Sequence, residues 1–180
     1  VDYIINVPRF NKYIEEGYQA NSTLLALMDK LDNPHLKVKS IHIAGTNGKG
    51  STVQLIKNIL VASGYRVGCF VSPHLIKINE RISVWDSLDT PVESTYITDD
   101  DFLEAFCEVY DAYESIKEKK LPSLTFFEYV FAIAAVYFSS KKLDYCIYET
   151  GLGGRLDATN ILVPEIVAIT SIGLDHMKLL

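Results

Sequence analysis

The run Gly45-Thr46-Asn47-Gly48-Lys49-Gly50-Ser51-Thr52 gathers three glycines, one lysine and three hydroxyl groups into eight residues. Glycines let a backbone turn so that several N–H groups point inward, and a helix opening behind them adds partial positive charge. With the Lys49 ammonium these groups make a cradle for an anion, and a phosphate fits it when a strand precedes the loop and a helix follows. Thr46, Asn47, Gly48, Lys49, Gly50, Ser51 and Thr52 are the candidate phosphate contacts, with the Ser51 hydroxyl preferred to that of Thr52. The alternative is a tight strand-to-helix turn rich in glycine. The spacing departs from the standard Walker loop. Two residues separate Gly45 from Gly48-Lys49, and Gly50 stands between Lys49 and the first hydroxyl. A second charged group, Glu149, closes an apolar run containing Leu143, Tyr145, Cys146, Ile147 and Tyr148. A charge there is costly unless a cation offsets it. On spacing alone, a magnesium contact and a solvated strand-end carboxylate are equally open.

These groups act together only if the chain delivers them to one place. Ser40-Ile41-His42-Ile43-Ala44 predicts a short strand running into the glycine-rich loop. Val53, Leu55, Ile56, Ile59 and Leu60 predict a helix after it, stopped at Ser63-Gly64. Further strands are predicted at 66–71, 143–148 and 165–170, and helices at 99–118 and 125–139. The run from Phe126 to Phe138, interrupted by Glu128, is too short for a membrane span and reads as a buried core helix. Residues 8–31 read as helical in pieces, with Asn21-Ser22-Thr23 as the cap of the second piece. Residues 76–84 read as a strand or an extended loop, and 85–98 as surface loop. Strands alternating with helices predict an α/β fold with a mostly parallel central sheet flanked by helices. Ligands of such sheets bind beyond the carboxyl ends of the strands. Four predicted strands end there, in Gly45 to Ser51, Ser72-Pro73-His74, Glu149-Thr150-Gly151 and Asp175-His176.

The chain has 180 residues, 48% of them hydrophobic, with a formal net charge of −6. That size and apolar content support one domain with a large core and exclude intrinsic disorder. The acidic balance gives no long-range attraction to nucleic acid. The start shows neither a basic segment nor a continuous apolar one, so no targeting segment and no membrane partner is expected. Cys69, Cys107 and Cys146 contain no Cys-x-x-Cys pair. They are expected to be inert thiols in a reducing cytoplasm.

Residues 44–52, Ala-Gly-Thr-Asn-Gly-Lys-Gly-Ser-Thr, resemble the ATP loop of the Mur-type amide ligases, and specifically of the folylpolyglutamate synthase/dihydrofolate synthase family. Ser72-Pro73-His74-Leu75 with Asn79-Glu80-Arg81 resembles that family's second loop. Ser123 to Tyr129 resembles its folate-side helix start, Glu149 to Asn160 its glycine-rich loop, and Thr170 to His176 its metal-histidine segment. The five motifs fall in order and, with the Pro-Arg-Phe start near residue 8, extend the resemblance over nearly the whole chain.

The resemblance implies a P-loop NTPase-like fold of the Mur ligase central-domain type, with ATP and Mg2+ as cofactors. It implies amide formation between a carboxylate of folate or dihydropteroate and the amine of L-glutamate, through an acyl phosphate. Lys49, Glu149 and His176 are then the catalytic residues, and Ser72, Glu149 and His176 the metal contacts. Thr125, Phe127 and Glu128, with Leu156, Asp157 and Ala158, then face the folate, the alternative being that Phe126 and Phe127 serve a buried helix start. Arg81 either binds phosphate or pairs with Glu80. His42 reads as a core or edge histidine, and His74 is given no role. Members of the family are more than twice as long, and this chain stops before the lysine that they carbamylate. Residues 1–180 are therefore expected to be a single ATP-binding domain, an N-terminal fragment without the C-terminal ligase domain and incomplete for catalysis. The full-length protein is expected to be a monomer. Two readings compete. One is another Mur-type amino-acid ligase, whose loop would more usually put a hydroxyl directly after the lysine. The other is a nucleotide-binding piece without ligase activity.

Overall fold

A computed structural model describes residues 6–8, 21–117 and 121–174. Five strands, β1 (Lys39–Ala44), β2 (Val67–Phe70), β3 (Ile82–Trp85), β4 (Tyr145–Glu149) and β5 (Ile166–Ile169), form one sheet in the order β3-β2-β4-β1-β5. β1, β2, β4 and β5 are mutually parallel, and β3 runs antiparallel to β2. The expected mostly parallel α/β architecture is therefore present. Four strand ends open on one rim, because parallel neighbours present their carboxyl ends together.

Side chains alternate across the sheet and divide the core in two. On one face Ile41, Ile43, Val67, Cys69, Trp85 and Ile147 pack with Val53 and Val61 of helix α2 (Lys49–Ala62). On the other, Phe70, Cys146 and Tyr148 pack with α4 (Phe126–Ser140), which is backed by α3 (Asp99–Ile116) and α1 (Ser22–Lys30). Helix α4 is buried continuously from Glu128 to Phe138, which is why its sequence is apolar all round rather than amphipathic. Burying Phe131, Ile133 or Phe138 contributes about 1.5–3 kcal/mol each. Helix α3 starts where Thr98 accepts a hydrogen bond from the Asp101 N–H, and three aspartates complement the positive end of its dipole.

Several local expectations change. Asn21 does not cap α1 through its side chain. It sits in the left-handed region at φ 62°, and its amide donates instead to the Asp157 carbonyl at 2.9 Å. Residues 76–84 divide into a 3-10 turn (Ile78–Arg81) and β3. The segment expected as surface loop contributes to the core: Trp85 ends β3 nearly buried, Thr95 and Ile97 are buried, and the Ile97 N–H donates to the Ile82 carbonyl. Trp85 is held by its indole N–H on Ser83 and by the Lys57 ammonium 3.5 Å from its ring centroid. The first helical piece falls in residues 9–20, outside the described residues.

Among the described residues β5 pairs on one side only, with β1. Ile166, Val167 and Ile169 are each more than half exposed.

His35, in the 3-10 turn Pro34–Leu36 against α4, is buried with no hydrogen-bond partner for Nδ1 among the described residues. Burial lowers its pKa from 6.5 to about 4. The stability of the neutral ring is therefore full above pH 6.5 and is lost as pH falls toward 4, where the unfolded chain holds the extra proton. The loss amounts to about 3 kcal/mol at completion. Urea unfolding at pH 7.5 and pH 4.5 should show this difference for the native chain and a smaller one for His35→Leu. Equal differences in the two proteins would remove His35 as the cause.

Candidate active site

The phosphate loop leaves β1 at Gly45 and enters α2 at Lys49. Gly48, at φ +83°, makes the turn into the helix, and its carbonyl accepts from the N–H and the hydroxyl of Thr52, both at 2.9 Å. The Thr52 hydroxyl is thus committed to its own helix, whereas Ser51 is exposed. Gly45, at φ +130°, has no room for a side chain, since a Cβ would collide with the Thr170 hydroxyl. The Lys49 ammonium donates to the carbonyls of Gly45 (2.8 Å) and Thr46 (3.2 Å). It arches over the loop with one of its three protons still available to an oxygen ligand.

The chain after β5 is laced onto this loop. The Thr46 N–H donates to the Ser171 carbonyl at 2.8 Å. Its hydroxyl donates to the Gly173 carbonyl (3.1 Å) and accepts from the Gly173 N–H (3.0 Å). Ser171 donates to the Asn47 carbonyl. Sequence reasoning put Thr46 and Asn47 on the phosphate and missed this lacing. Backbone partners leave no signal in residue type. Asp175 and His176, which continue the laced segment, lie outside the described residues.

Glu149 ends β4 beside the loop. It is 5% exposed, and a Cβ on Gly50 would stand 3.7 Å from each of its carboxylate oxygens. The Ser72 N–H donates to Oε2 at 3.0 Å, which brings the end of β2 to the same point. Burial raises the Glu149 pKa. The Ser72 N–H, Lys49, Arg81 and the Gly50 N–H pull it back without cancelling the rise. A buried carboxylate that keeps spare lone pairs beside a phosphate cradle is the donor a hard divalent cation seeks, and such a cation would offset the cost of its charge. Among the described residues no cluster of three His, Cys, Asp or Glu side chains surrounds one point. The fit therefore rests on Glu149 with Ser72. Arg81 is buried between these parts. Its Nε donates to His74 Nδ1 at 2.8 Å, and its guanidinium lies 5.3 Å from the Phe126 ring centroid. Glu80 takes up the backbone N–H groups of Leu75, Ile76 and Lys77.

The residues expected on the folate side come together at the opening of α4 and the loop after β4. Thr125 and Glu128 form a reciprocal cap: the Glu128 carboxylate accepts from the Thr125 N–H and hydroxyl at 2.7 Å, and the Thr125 oxygen accepts from the Glu128 N–H at 3.3 Å. Phe127 is half-buried, 5.5 Å from the Phe70 centroid, and its ring lies where a Cβ on Gly151 would go. Asp157 is buried. Its Oδ1 accepts from the N–H (2.9 Å) and hydroxyl (2.6 Å) of Thr159, and its Oδ2 from the Leu152 N–H (2.9 Å). Leu156 is half exposed and Ala158 buried.

No family model matches the chain. A dihydrofolate synthase/folylpolyglutamate synthase of Bacillus subtilis is 42% identical over 155 residues, covering 86% of this chain and 34% of the relative. The chain belongs to the folylpolyglutamate synthase/dihydrofolate synthase family. A folylpolyglutamate synthase solved with AMPPCP and folate matches with a TM-score of 0.81 and 34% identity, over 99% of this chain and 41% of its own. The Yersinia pestis bifunctional enzyme of the family, complexed with AMPPNP and Mn ion, also matches at 0.81 and 34%, over 97% of this chain and 38% of its own. The chain spans about a third of the length of the curated family members it matches.

Proposed function

We propose that these residues are the ATP-binding domain of an ATP-dependent ligase that joins L-glutamate to a carboxylate of folate or dihydropteroate. The observation that carries this reading is the buried Glu149 carboxylate set against Gly50, between the phosphate loop and Ser72. Family members solved with an ATP analogue, folate and manganese support the ligand classes.

Lys49 and the loop N–H groups hold the phosphates and neutralise charge on the transferring phosphoryl group. Glu149, with Ser72 beside it, would hold Mg2+, and His176, by the family resemblance, would be a further contact. Held there, the ion would supply Lewis-acid stabilisation of the negative charge on the transferring phosphoryl group. The acceptor carboxylate oxygen attacks the γ-phosphorus and ADP leaves, giving an acyl phosphate. The glutamate amine then attacks the acyl carbon, losing a proton as inorganic phosphate leaves. The Thr125–Glu128 corner and the 151–158 loop hold the pteridine end of the acceptor. The isolated 180-residue chain binds nucleotide without completing the amide, and the full-length enzyme acts as a monomer. Free thiols at Cys69, Cys107 and Cys146 support a cytoplasmic location, and no helix among the described residues is long and apolar enough to cross a membrane.

The test is incorporation of radiolabelled glutamate by the full-length protein, with dihydropteroate and tetrahydrofolate as alternative acceptors. Incorporation that requires ATP and magnesium is expected with at least one of them. No incorporation with either overturns the reading.

A further inference from the structure

The loop after β4 leaves the sheet at Thr150 and comes back against β1 at Thr159, in the 3-10 turn Ala158–Ile161, and one imidazole nitrogen touches both ends. His42 Nε2 lies 2.8 Å from the Thr150 hydroxyl and 2.8 Å from the Thr159 hydroxyl. All three side chains are buried, at 8%, 1% and 0% exposure. His42 is central in β1 and paired with Tyr148 of β4 and Val167 of β5, so its ring is carried by the stiffest part of the sheet.

The proton count assigns the tautomer. Asp157 is a carboxylate and only accepts, so at 2.6 Å the Thr159 hydroxyl spends its proton there. The Thr159 oxygen must then accept at His42, which places the imidazole proton on Nε2. The Thr150 oxygen shares that proton. The order is therefore His42 to Thr159 to Asp157, with Asp157 in turn gripping the Leu152 N–H at the start of the loop. The Thr150 N–H on the Ile43 carbonyl (2.9 Å) and the Asn21 amide on the Asp157 carbonyl (2.9 Å) complete the frame. The chain between the pinned ends carries Leu156, Asp157 and Ala158.

We propose that His42 is a positioning residue: by sharing its Nε2–H between Thr150 and Thr159 it pins the 151–158 loop, and so sets the geometry of the acceptor-substrate side of the site without touching the nucleotide side. The substrate part rests on the reading of the site given above, whereas the pinning rests on the hydrogen bonds alone. Removing the donor frees both loop ends and leaves the oxygens of Thr150 and Thr159 buried without it. The phosphate loop begins three residues beyond His42, where β1 ends, but its hydrogen bonds to the chain after β5 run to Ser171 and Gly173 rather than to His42.

The test uses the full-length protein with His42→Leu, His42→Gln and Thr159→Val. Leucine keeps the volume without a donor, and glutamine restores an N–H at similar reach. Two readouts are taken: trypsin cleavage at the exposed Arg155 with hydrogen exchange over 151–158, and KM for the pteridine acceptor against KM for ATP. Expected for His42→Leu and Thr159→Val are faster cleavage and exchange and an acceptor KM raised roughly tenfold, with the ATP KM within twofold of native. His42→Gln should recover most of both effects. Unchanged cleavage and exchange in His42→Leu overturns the pin. A loosened loop with unchanged acceptor KM, or with acceptor and ATP KM raised alike, overturns the positioning role. If the native protein uses no pteridine acceptor, the functional reading falls by itself, and the loop measurements still decide whether His42 pins it.

Discussion

Lys49→Ala in the full-length protein should lower ATP-dependent turnover by about a thousandfold or more. Removing one preorganised donor from a developing oxyanion costs on the order of 10²–10³, and Lys49 does more than donate. Its ammonium supplies the loop's full positive charge in a chain whose net charge is −6. It also bridges the Gly45 and Thr46 carbonyls. Alanine removes the charge and takes the side-chain donor away from both carbonyls. The measurement is single-turnover phosphoryl transfer at saturating ATP, with the melting temperature checked beside it. Near-native turnover in a folded Lys49→Ala protein would mean that the loop holds no phosphate.

Glu149→Gln should move the magnesium titration of activity upward by at least about tenfold and lower turnover at limiting metal. Glutamine keeps the shape and can still accept the Ser72 N–H, so the geometry of the rim survives while the charge goes. The stability effect has the opposite sign. Burial raises the pKa of Glu149, so above its ordinary value the folded chain still holds a proton that the unfolded chain has released. The associated stability is fully present at low pH and is lost as pH rises through the raised folded value. In metal-free buffer near neutrality Glu149→Gln should therefore melt no lower than native, and the difference should shrink on acidification. An unchanged metal titration would remove Glu149 from the metal. A lower melting temperature would show that its charge is compensated within the protein.

The sheet was legible because its signals are local. Ser40 to Ala44, the glycine loop and the apolar stripe behind it declare strand, turn and helix in one run of sequence. Alternation along the chain implied the parallel order that brings Gly50 and Glu149 together. Long-range pairing was not legible. Thr46 looks like a phosphate ligand in sequence, yet its hydroxyl faces Gly173, because backbone partners 127 residues away carry no side-chain signature. Trp85 looked like loop because aspartate, serine and proline follow it, and what buries it is Lys57 from α2 and Ser83 two residues back. His42 could be read as a satisfied buried histidine. That its partners are the two ends of one loop follows only from where Thr150 and Thr159 come to lie.

Among the described residues, strand β5 carries isoleucine and valine outward on a sheet edge that has neither lysine nor proline within the strand. Natural sheets guard such edges because unpaired peptide groups beside apolar side chains template the addition of any extended segment they meet. Handled alone and concentrated, the 180-residue chain carries the makings of its own cross-β seed, and solution work on it is best planned around that hazard.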